Sequence, residues 1–596
     1  VSQLSTTVSA SRAGLGTPPC ADAPCRPQTD RQQRDTFPAP GRQTPESLVA
    51  AARHRDPKEA TPPPQNSSSM ASSILLSATK NAPAADTADP ETISPKAVLR
   101  TVSNGNLGAQ LEAAAMNGSE IGGVDLRDKA KRQGRVYRLR PAVKQYAWGI
   151  RGADSRVSRY ALESGTIQSI DPSAPYAELW LGTHQSGPSL LDDGTELCLV
   201  VEGPGGQLPW LFKVLSAGKA LSIQAHPDKA LAEKLHATNP DQYKDANHKP
   251  EMAIALTPFE AMCGFRRLSE IAVNLRRHRE FAACIDIEAQ LKVFTASPVD
   301  EAEQRAALTA VFESFMACPV EKSRAELAKL VKRLRSEQSG TLRGSGATHI
   351  NPPADDASGA SSAAESPWER KAARAILRLA EQFPGDCGAM APLFLNYLLI
   401  APGESFFMAA NEPHAYVAGE ILECMACSDN VVRAGLTPKH KDVRNLVDML
   451  TYTMGGPDIE FGVLEHEAEG SHTLRYTPPV PEFEVLVTTV EPGNEYKLDP
   501  VDVPSILICV EGLGTTRSAP GPDGVAPLRA HQFDLRPGQA FFVTKGTISL
   551  VLVCAKDAKG PLRVARAREN LHFGDARAGL ADDDDAATSG GGIRAA

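Results

Sequence analysis

Gln224-x-His226, within LSIQAHPDK, puts two potential metal ligands one residue apart. Strand side chains alternate between faces, so this spacing sends both to the same side. A carboxylate, Glu251, follows in NHKPEMAIAL, and a second imidazole, His414, lies in FFMAANEPHAY. Two imidazoles, one carboxylate and one amide oxygen converging from separate strands make a mononuclear metal site. Histidine and carboxylate suit zinc, and a catalytic zinc keeps one position open for water or substrate. Gln is a less usual ligand, and Gln-x-His alone also describes a polar strand surface or a hydrogen-bonded core pair. His226 precedes a proline and also fits a helix cap, while His414 also fits a solvated turn. Glu251 stands directly before the apolar run MAIAL, where an unpaired carboxylate is costly.

The elements around these residues are mostly short strands. AELWLGT, LCLVV, LPWLFKVL, ALSIQAH and MAIAL are β-rich runs split by Gly and Pro, which predicts a sandwich or barrel. PDKALAEKLHATNP reads as a helix, with Pro227 near its start and Asp228 at the positive end of its dipole. Over 267–335 the apolar residues recur at three and four, as in LSEIAVNLRRHREF and SRAELAKLVKRLR, which predicts amphipathic helices. Residues 336–366 break that pattern and read as a solvated insertion. PWERKAARAILRLAEQF returns to helix. Strands resume from Ala391, LTPKHKDVRNLVDMLTY forms a short helix, and 476–575 make a second β-rich unit with no Gln-x-His or His-x-His pair and hence no metal. Residues 1–135 bury too little apolar surface to offset ordering entropy and read as a disordered extension, with a short helix over 108–116. Met70 is a candidate start or part of an organelle address, and 576–596 reads as a flexible acidic tail.

The chain has 596 residues, 42% of them hydrophobic, and a net charge of −9, so it can bury a large core and lacks the dense basic face of a nucleic-acid partner. No apolar run approaches the roughly 20 residues of a membrane span. Eleven scattered cysteines fit a reducing compartment, so cytoplasm is expected, with organelle targeting by the N-terminal extension as the alternative. Cys424-x-x-Cys427 has no second pair to complete a four-cysteine site and reads as structural, within the buried strand ILECMACSDNVV.

LPWLFKVLSAGKALSIQAHPDKALAEKLH, DANHKPEMAIALTPFEAMCGFR and PHAYVAGEILECMACSDNVVRAGLTPKHKDV, with QYAWG at 145–149 and AELWLGTH at 177–184, closely resemble the type I phosphomannose isomerases over 136–575, with a gap near 336–366. The resemblance implies a mainly β fold with cupin-type jelly-roll units and an inserted α-helical domain. The expected catalytic β domain covers 136–266 and 386–475, the helical domain 267–385 and the C-terminal β domain 476–575. It further implies one zinc per chain, held by Gln224, His226, Glu251 and His414, in a monomer acting on a small sugar phosphate. The implied reaction interconverts D-mannose 6-phosphate and D-fructose 6-phosphate and supplies mannose for GDP-mannose and glycosylation. The long N-terminal extension and the 336–366 insertion depart from the family, outside the metal motifs.

Such an isomerisation moves a proton between C1 and C2 through a cis-enediol or enediolate. One group must carry the proton, something must stabilise the negative oxygens, and donors must hold the phosphate. A divalent metal serves the second task as a Lewis acid, and a guanidinium assists because it is always charged. Arg433, in SDNVVRAGLTPK, matches the family's active-site arginine. Asp429, read four residues earlier on the same strand face, is placed to orient Arg433 or move a proton. Lys249 shares the strand parity of Glu251 and His248 does not; both are candidates for the acid–base group. Ser222, Lys213 and Lys439 are candidate phosphate donors, with surface lysine as the plain alternative. Trp148 and Trp180 read as core or pocket-wall aromatics, and His184, in LGTHQS, as structural. An iron dioxygenase of the same barrel type, or a non-catalytic sugar-phosphate binder, would share several of these residues.

Overall fold

The long strand His414–Ala426 organises the fold. The computed structural model describes residues 135–344, 367–519, 531–546 and 549–574. The N-terminal extension with the helix expected over 108–116, the acidic tail and most of the 336–366 insertion lie outside these residues. His414–Ala426 pairs antiparallel with Trp210–Ala217 and Glu251–Ala255 along its second half, and with Phe259–Phe265 and Ile223–Ala225 along its first. The strand Val432–Gly435 then pairs with Ile223–Ala225. Together these strands form most of an 11-stranded sheet. Every residue of Trp210–Ala217 is buried, so its sequence is a near-continuous apolar run rather than an alternation.

An 8-stranded sheet lies beside it. Val136–Arg140 pairs with Ala540–Val543 near the C-terminus on one side and with Leu190–Leu191 on the other. Val463–Ala468 and Ser471–Tyr476 likewise pair within this second sheet. The reason is a shared core: Leu139, Phe212, Leu422, Ile508 and Phe542 belong to one buried cluster. Sequence distance does not mark the edge between the two sheets, because the apolar faces are equivalent to water.

Helices fill the chain between the strands Phe259–Phe265 and Leu395–Ile400. They include Leu268–Arg277, Ile287–Thr295, Glu301–Ala317, Val320–Gly344 and Pro367–Gln382. Phe312 and Phe315 meet Phe265 and Phe394 from the adjoining β segments edge-on or tilted, with centroids 5.1–5.8 Å apart. Each such buried ring contributes about 1.5–3 kcal/mol, which fixes the helices to the sheet. The helix reaching Gly344 runs well into the segment expected to be insertion from 336. Ser336 back-bonds to the Lys332 carbonyl, and Arg333 pairs with Glu337 at 3.0 Å. Extending a formed helix adds one bond per residue fixed, so polar residues that would not nucleate a helix prolong one. No helix among the described residues is long and apolar enough to cross a membrane.

Candidate metal centre

Three strand ends bring together side chains that could ligate a metal ion. Glu251 and His414 each open a strand, and His226 directly follows Ile223–Ala225. Their side chains are 1–2% exposed. Glu251 Oε2 lies 3.6 Å from His226 Nε2 and 3.3 Å from His414 Nε2. These three atoms are buried and none has a hydrogen-bond partner in the protein. Leaving three buried polar atoms unpaired would cost about 1–3 kcal/mol each. Their convergence within 4.8 Å of one another fits a divalent cation, and nitrogen and carboxylate donors suit zinc.

The far side of each imidazole is fixed. His226 Nδ1–H donates to the Asn430 carbonyl at 2.7 Å, and His414 Nδ1–H to the Glu412 carbonyl at 3.0 Å. Each bond leaves the Nε2 lone pair directed at the cluster. His226 is no helix cap: Asp228 caps Lys229–Thr238 by accepting from the Leu231 N–H at 2.9 Å. Burial, with the Lys249 ammonium, pushes the His226 pKa down to about 4, so the ring is a neutral donor at pH 7. Burial alone would raise Glu251, but the Lys249 ammonium and the histidines hold it well below the usual carboxylate range. Lys249 Nζ bonds Glu251 Oε1 at 2.7 Å, which leaves Oε2 for the cluster.

Gln224 joins this group by register. It lies directly across from His414 on one side and from Arg433 on the other. Directly paired residues project to the same face about 5 Å apart, so Arg433, Gln224 and His414 form a row across three strands. Gln224 and Arg433 line a cavity of 570 Å³, together with Lys249, Lys213, Ser222 and Lys439. Arg433 is half-buried, its pKa is lowered by burial alone, and it is in no salt bridge among the described residues. Lys439 is exposed at the cavity edge. Lys213 is not a surface lysine: it is buried and bonds Glu423 Oε2 at 2.7 Å.

Several expectations are corrected. His248 Nε2 turns to Glu482 Oε1 at 2.5 Å and does not line the cavity, while Lys249, in the same segment before the Glu251 strand, does. Asp429 is not on a strand with Arg433. It sits in the loop between them, its N–H donates to Asp245, and its carboxylate lies 3.5 Å from His184 Nε2. His184, set aside as structural, lines the cavity edge-on to Trp180. Trp148 and Trp180 both line its wall.

Glu423 and Tyr416 escaped the sequence reading. Tyr416 Oη donates to Glu423 Oε1 at 2.7 Å, while Lys213 holds the other oxygen. Burial raises the Glu423 carboxyl, with the Lys213 ammonium opposing. Burial would lower Lys213, but Glu423 and its acidic neighbours more than offset this, so the ammonium is retained. The available signal was one charge of each sign inside two apolar strands, LPWLFKVL and ILECMA, which pair directly at Lys213 and Glu423. The Cys424 and Cys427 thiols are free, and burial raises both pKa values.

Strict alternation would place His414 and Tyr416 opposite Glu423, because their numbers differ in parity. A register shift between Glu260 and Ala261 against Ala418 and Tyr416 inserts one residue, and Gly419 follows at φ +110°. A bulge of this kind reverses the facing of everything beyond it. It brings the metal-proximal and the Lys213–Glu423 halves of one strand to a common side. A Cβ at Gly419 would lie 2.6 Å from the Pro258 carbonyl oxygen, so glycine is required twice over.

The chain matches the family model for the phosphomannose isomerase type I catalytic domain over residues 136–268 and that for the type I C-terminal region over 474–516. It is 39% identical over 441 residues to mannose-6-phosphate isomerase of Bos taurus, covering 71% of this chain and 97% of that protein. The Arabidopsis thaliana mannose-6-phosphate isomerase 1 is 39% identical over 413 residues, covering 66% and 88%. Among solved structures, Salmonella typhimurium mannose 6-phosphate isomerase with fructose 6-phosphate and zinc superposes with a TM-score of 0.53 at 28% identity. That match covers 73% of this chain and all of that one.

Proposed function

This chain belongs to the type I phosphomannose isomerases, and from that premise we propose that it interconverts D-mannose 6-phosphate and D-fructose 6-phosphate with one zinc per chain. The observation that carries this reading is the convergence of three unpartnered buried acceptors, His226 Nε2, His414 Nε2 and Glu251 Oε2, beside a cavity lined by an uncommitted guanidinium. Gln224 completes the ligand set through its amide oxygen. A zinc bound there supplies Lewis-acid polarisation of the sugar oxygens at C1 and C2.

The remaining work falls to side chains of the cavity. Arg433 stabilises the enediolate oxygens; its guanidinium carries no competing carboxylate, so its full charge is available as negative charge develops. Lys249 is the proton carrier at Nζ, beside the ligand carboxylate whose Oε1 it already bonds. Lys213 is held rigid by Glu423 and Tyr416 and presents a fixed positive charge to the sugar oxygens. Ser222 and Lys439 take the phosphate at the cavity mouth, where Lys439 is open to solvent and suits a dianion that arrives hydrated. His184 and Asp429 form the rim. We read the two β regions as cupin-type units and the helices between Phe265 and Leu395 as an inserted domain. The enzyme is a cytoplasmic monomer that feeds mannose into GDP-mannose and glycosylation.

A coupled isomerase assay tests the reading. Metal-free protein should lose turnover and regain it with zinc. Full activity after complete chelation, or binding of fructose 6-phosphate without turnover in the zinc-loaded chain, would overturn it; the second result would favour a non-catalytic binder.

A further inference from the structure

The helical region borders a second, open cavity of 960 Å³, larger than the one beside the metal cluster. Its walls are one face of the Leu268–Arg277 helix, the start of Glu301–Ala317 and the loop segment 452–454. Three guanidinium side chains line it: Arg267 and Arg276 from the two ends of the first helix, and Arg305 from the second. Glu301 is the single carboxylate among the lining residues, so three positive charges face one negative charge in a chain whose net charge is −9. None of the three arginines is in a salt bridge among the described residues. Elsewhere in the same region arginines are paired, as Arg266 is with Glu270 and Arg333 with Glu280. Arg276 is held in place instead, its guanidinium 4.5 Å from the centroid of Phe294. Arg267 and Arg276 are nine positions apart, about 13 Å along a helix of 1.5 Å rise per residue. Long arginine side chains anchored that far apart can close on the two ends of one small organic anion from opposite sides. The Ser269 and Thr453 residues lining the same walls carry hydroxyls for further hydrogen bonds.

We propose that this cavity is a binding site, separate from the metal cavity, for a small organic polyanion bearing a phosphate and a second acidic group. Guanidinium groups outside any salt bridge are free to take phosphate or carboxylate oxygens in forked pairs, and the Arg305 charge also acts on the Glu412 carboxylate. The cavity also shares a wall with the metal cluster. Thr453 Oγ1 bonds Thr451 Oγ1 at 2.9 Å, Thr451 bonds the Glu412 carboxylate, and the Glu412 carbonyl accepts from His414 Nδ1. Tyr452, between the two threonines, holds a φ of +56° and packs between Phe265 and Phe312. An anion drawn against this loop therefore acts on the segment that orients a metal-binding imidazole.

Equilibrium dialysis of the full zinc-loaded chain against labelled 3-phosphoglycerate tests the site. Wild type is compared with an R276A/R305A double variant; both arginines are exposed, so the variant should fold and keep its kcat on mannose 6-phosphate. The expected result is the loss of about one bound equivalent per chain in the double variant. Equal binding by the two proteins, or no binding by wild type at millimolar ligand, would overturn the proposal. If the double variant misfolds, R276K/R305K, which keeps charge but loses the fork, should bind more weakly than wild type; unchanged affinity would count against the site.

Discussion

Breaking the Lys213–Glu423 pair should separate what it does for the fold from what it does for turnover. The two charged atoms are 2.7 Å apart, with side chains 7% and 3% exposed. At an effective dielectric of about 20 their attraction is about 6 kcal/mol, against a desolvation penalty of several kcal/mol per ion. The pair is therefore close to neutral as a whole, but either half alone is a buried unpaired charge costing about 3–5 kcal/mol. Glu423→Leu strands the Lys213 ammonium and also removes the acceptor of the Tyr416 hydroxyl, worth about 1–3 kcal/mol more. We expect Glu423→Leu to lower the urea midpoint by the equivalent of about 4 kcal/mol or more. The triple variant Lys213→Met, Glu423→Leu, Tyr416→Phe should recover to within about 2 kcal/mol of wild type, because no buried polar atom is then abandoned. It should remain inactive in the coupled isomerase assay, since the fixed Lys213 ammonium is gone from the cavity wall. A single-variant loss under about 1 kcal/mol would refute the burial argument, and restored turnover in the triple variant would refute the catalytic one.

His414→Ala should strip the metal and abolish turnover while the helical region keeps its far-ultraviolet signal; retained zinc with normal rates would remove this residue from the ligand set. Arg433→Ala should keep the metal and lower kcat by about 10²–10³, the loss typical of a transition-state donor, whereas a rise in KM alone would make it a binding group. Gly419→Ala should cost about 2 kcal/mol or more from the positive φ and the contact with the Pro258 carbonyl, and should weaken zinc affinity. A stable variant with wild-type zinc affinity would contradict the facing argument. His278, pushed down to about 4 by burial and the nearby Arg333, is neutral in the folded chain and accepts from that guanidinium. The unfolded chain takes up that proton near pH 6.5, so this stability is complete above about 6.5 and is lost as pH falls towards 4. His278→Gln should flatten the urea midpoint between pH 7 and 4.5, and an unchanged slope would exclude the histidine as its cause.

The candidate metal site was legible in the family resemblance more than in residue types, because Gln-x-His and a lone His or Glu each also describe ordinary strand or turn residues. Gln224, His226, Glu251 and His414 were named together through the family resemblance, since spacing alone left each a structural alternative, and the fold brings His226, Glu251 and His414 together. Residue type and parity left Lys249 and His248 both open as the acid–base group, and the fold turned one into the cavity and the other to Glu482. The amphipathic helices over 267–335 were plain, since three-and-four spacing is local. Tertiary structure alone fixed three matters. It decided that Val136–Arg140 joins the C-terminal strands, because equivalent apolar faces carry no address. It decided that Asp429 leaves the strand of Arg433 and meets His184, because a loop's course follows its long-range bonds to Asp245. It also set His414, Tyr416 and Glu423 on one side, through a bulge beside Gly419 that no period-two reading contains. Period and residue type act over a few residues and are written locally. Which faces meet, and where alternation is broken, depends on contacts between residues far apart in the chain.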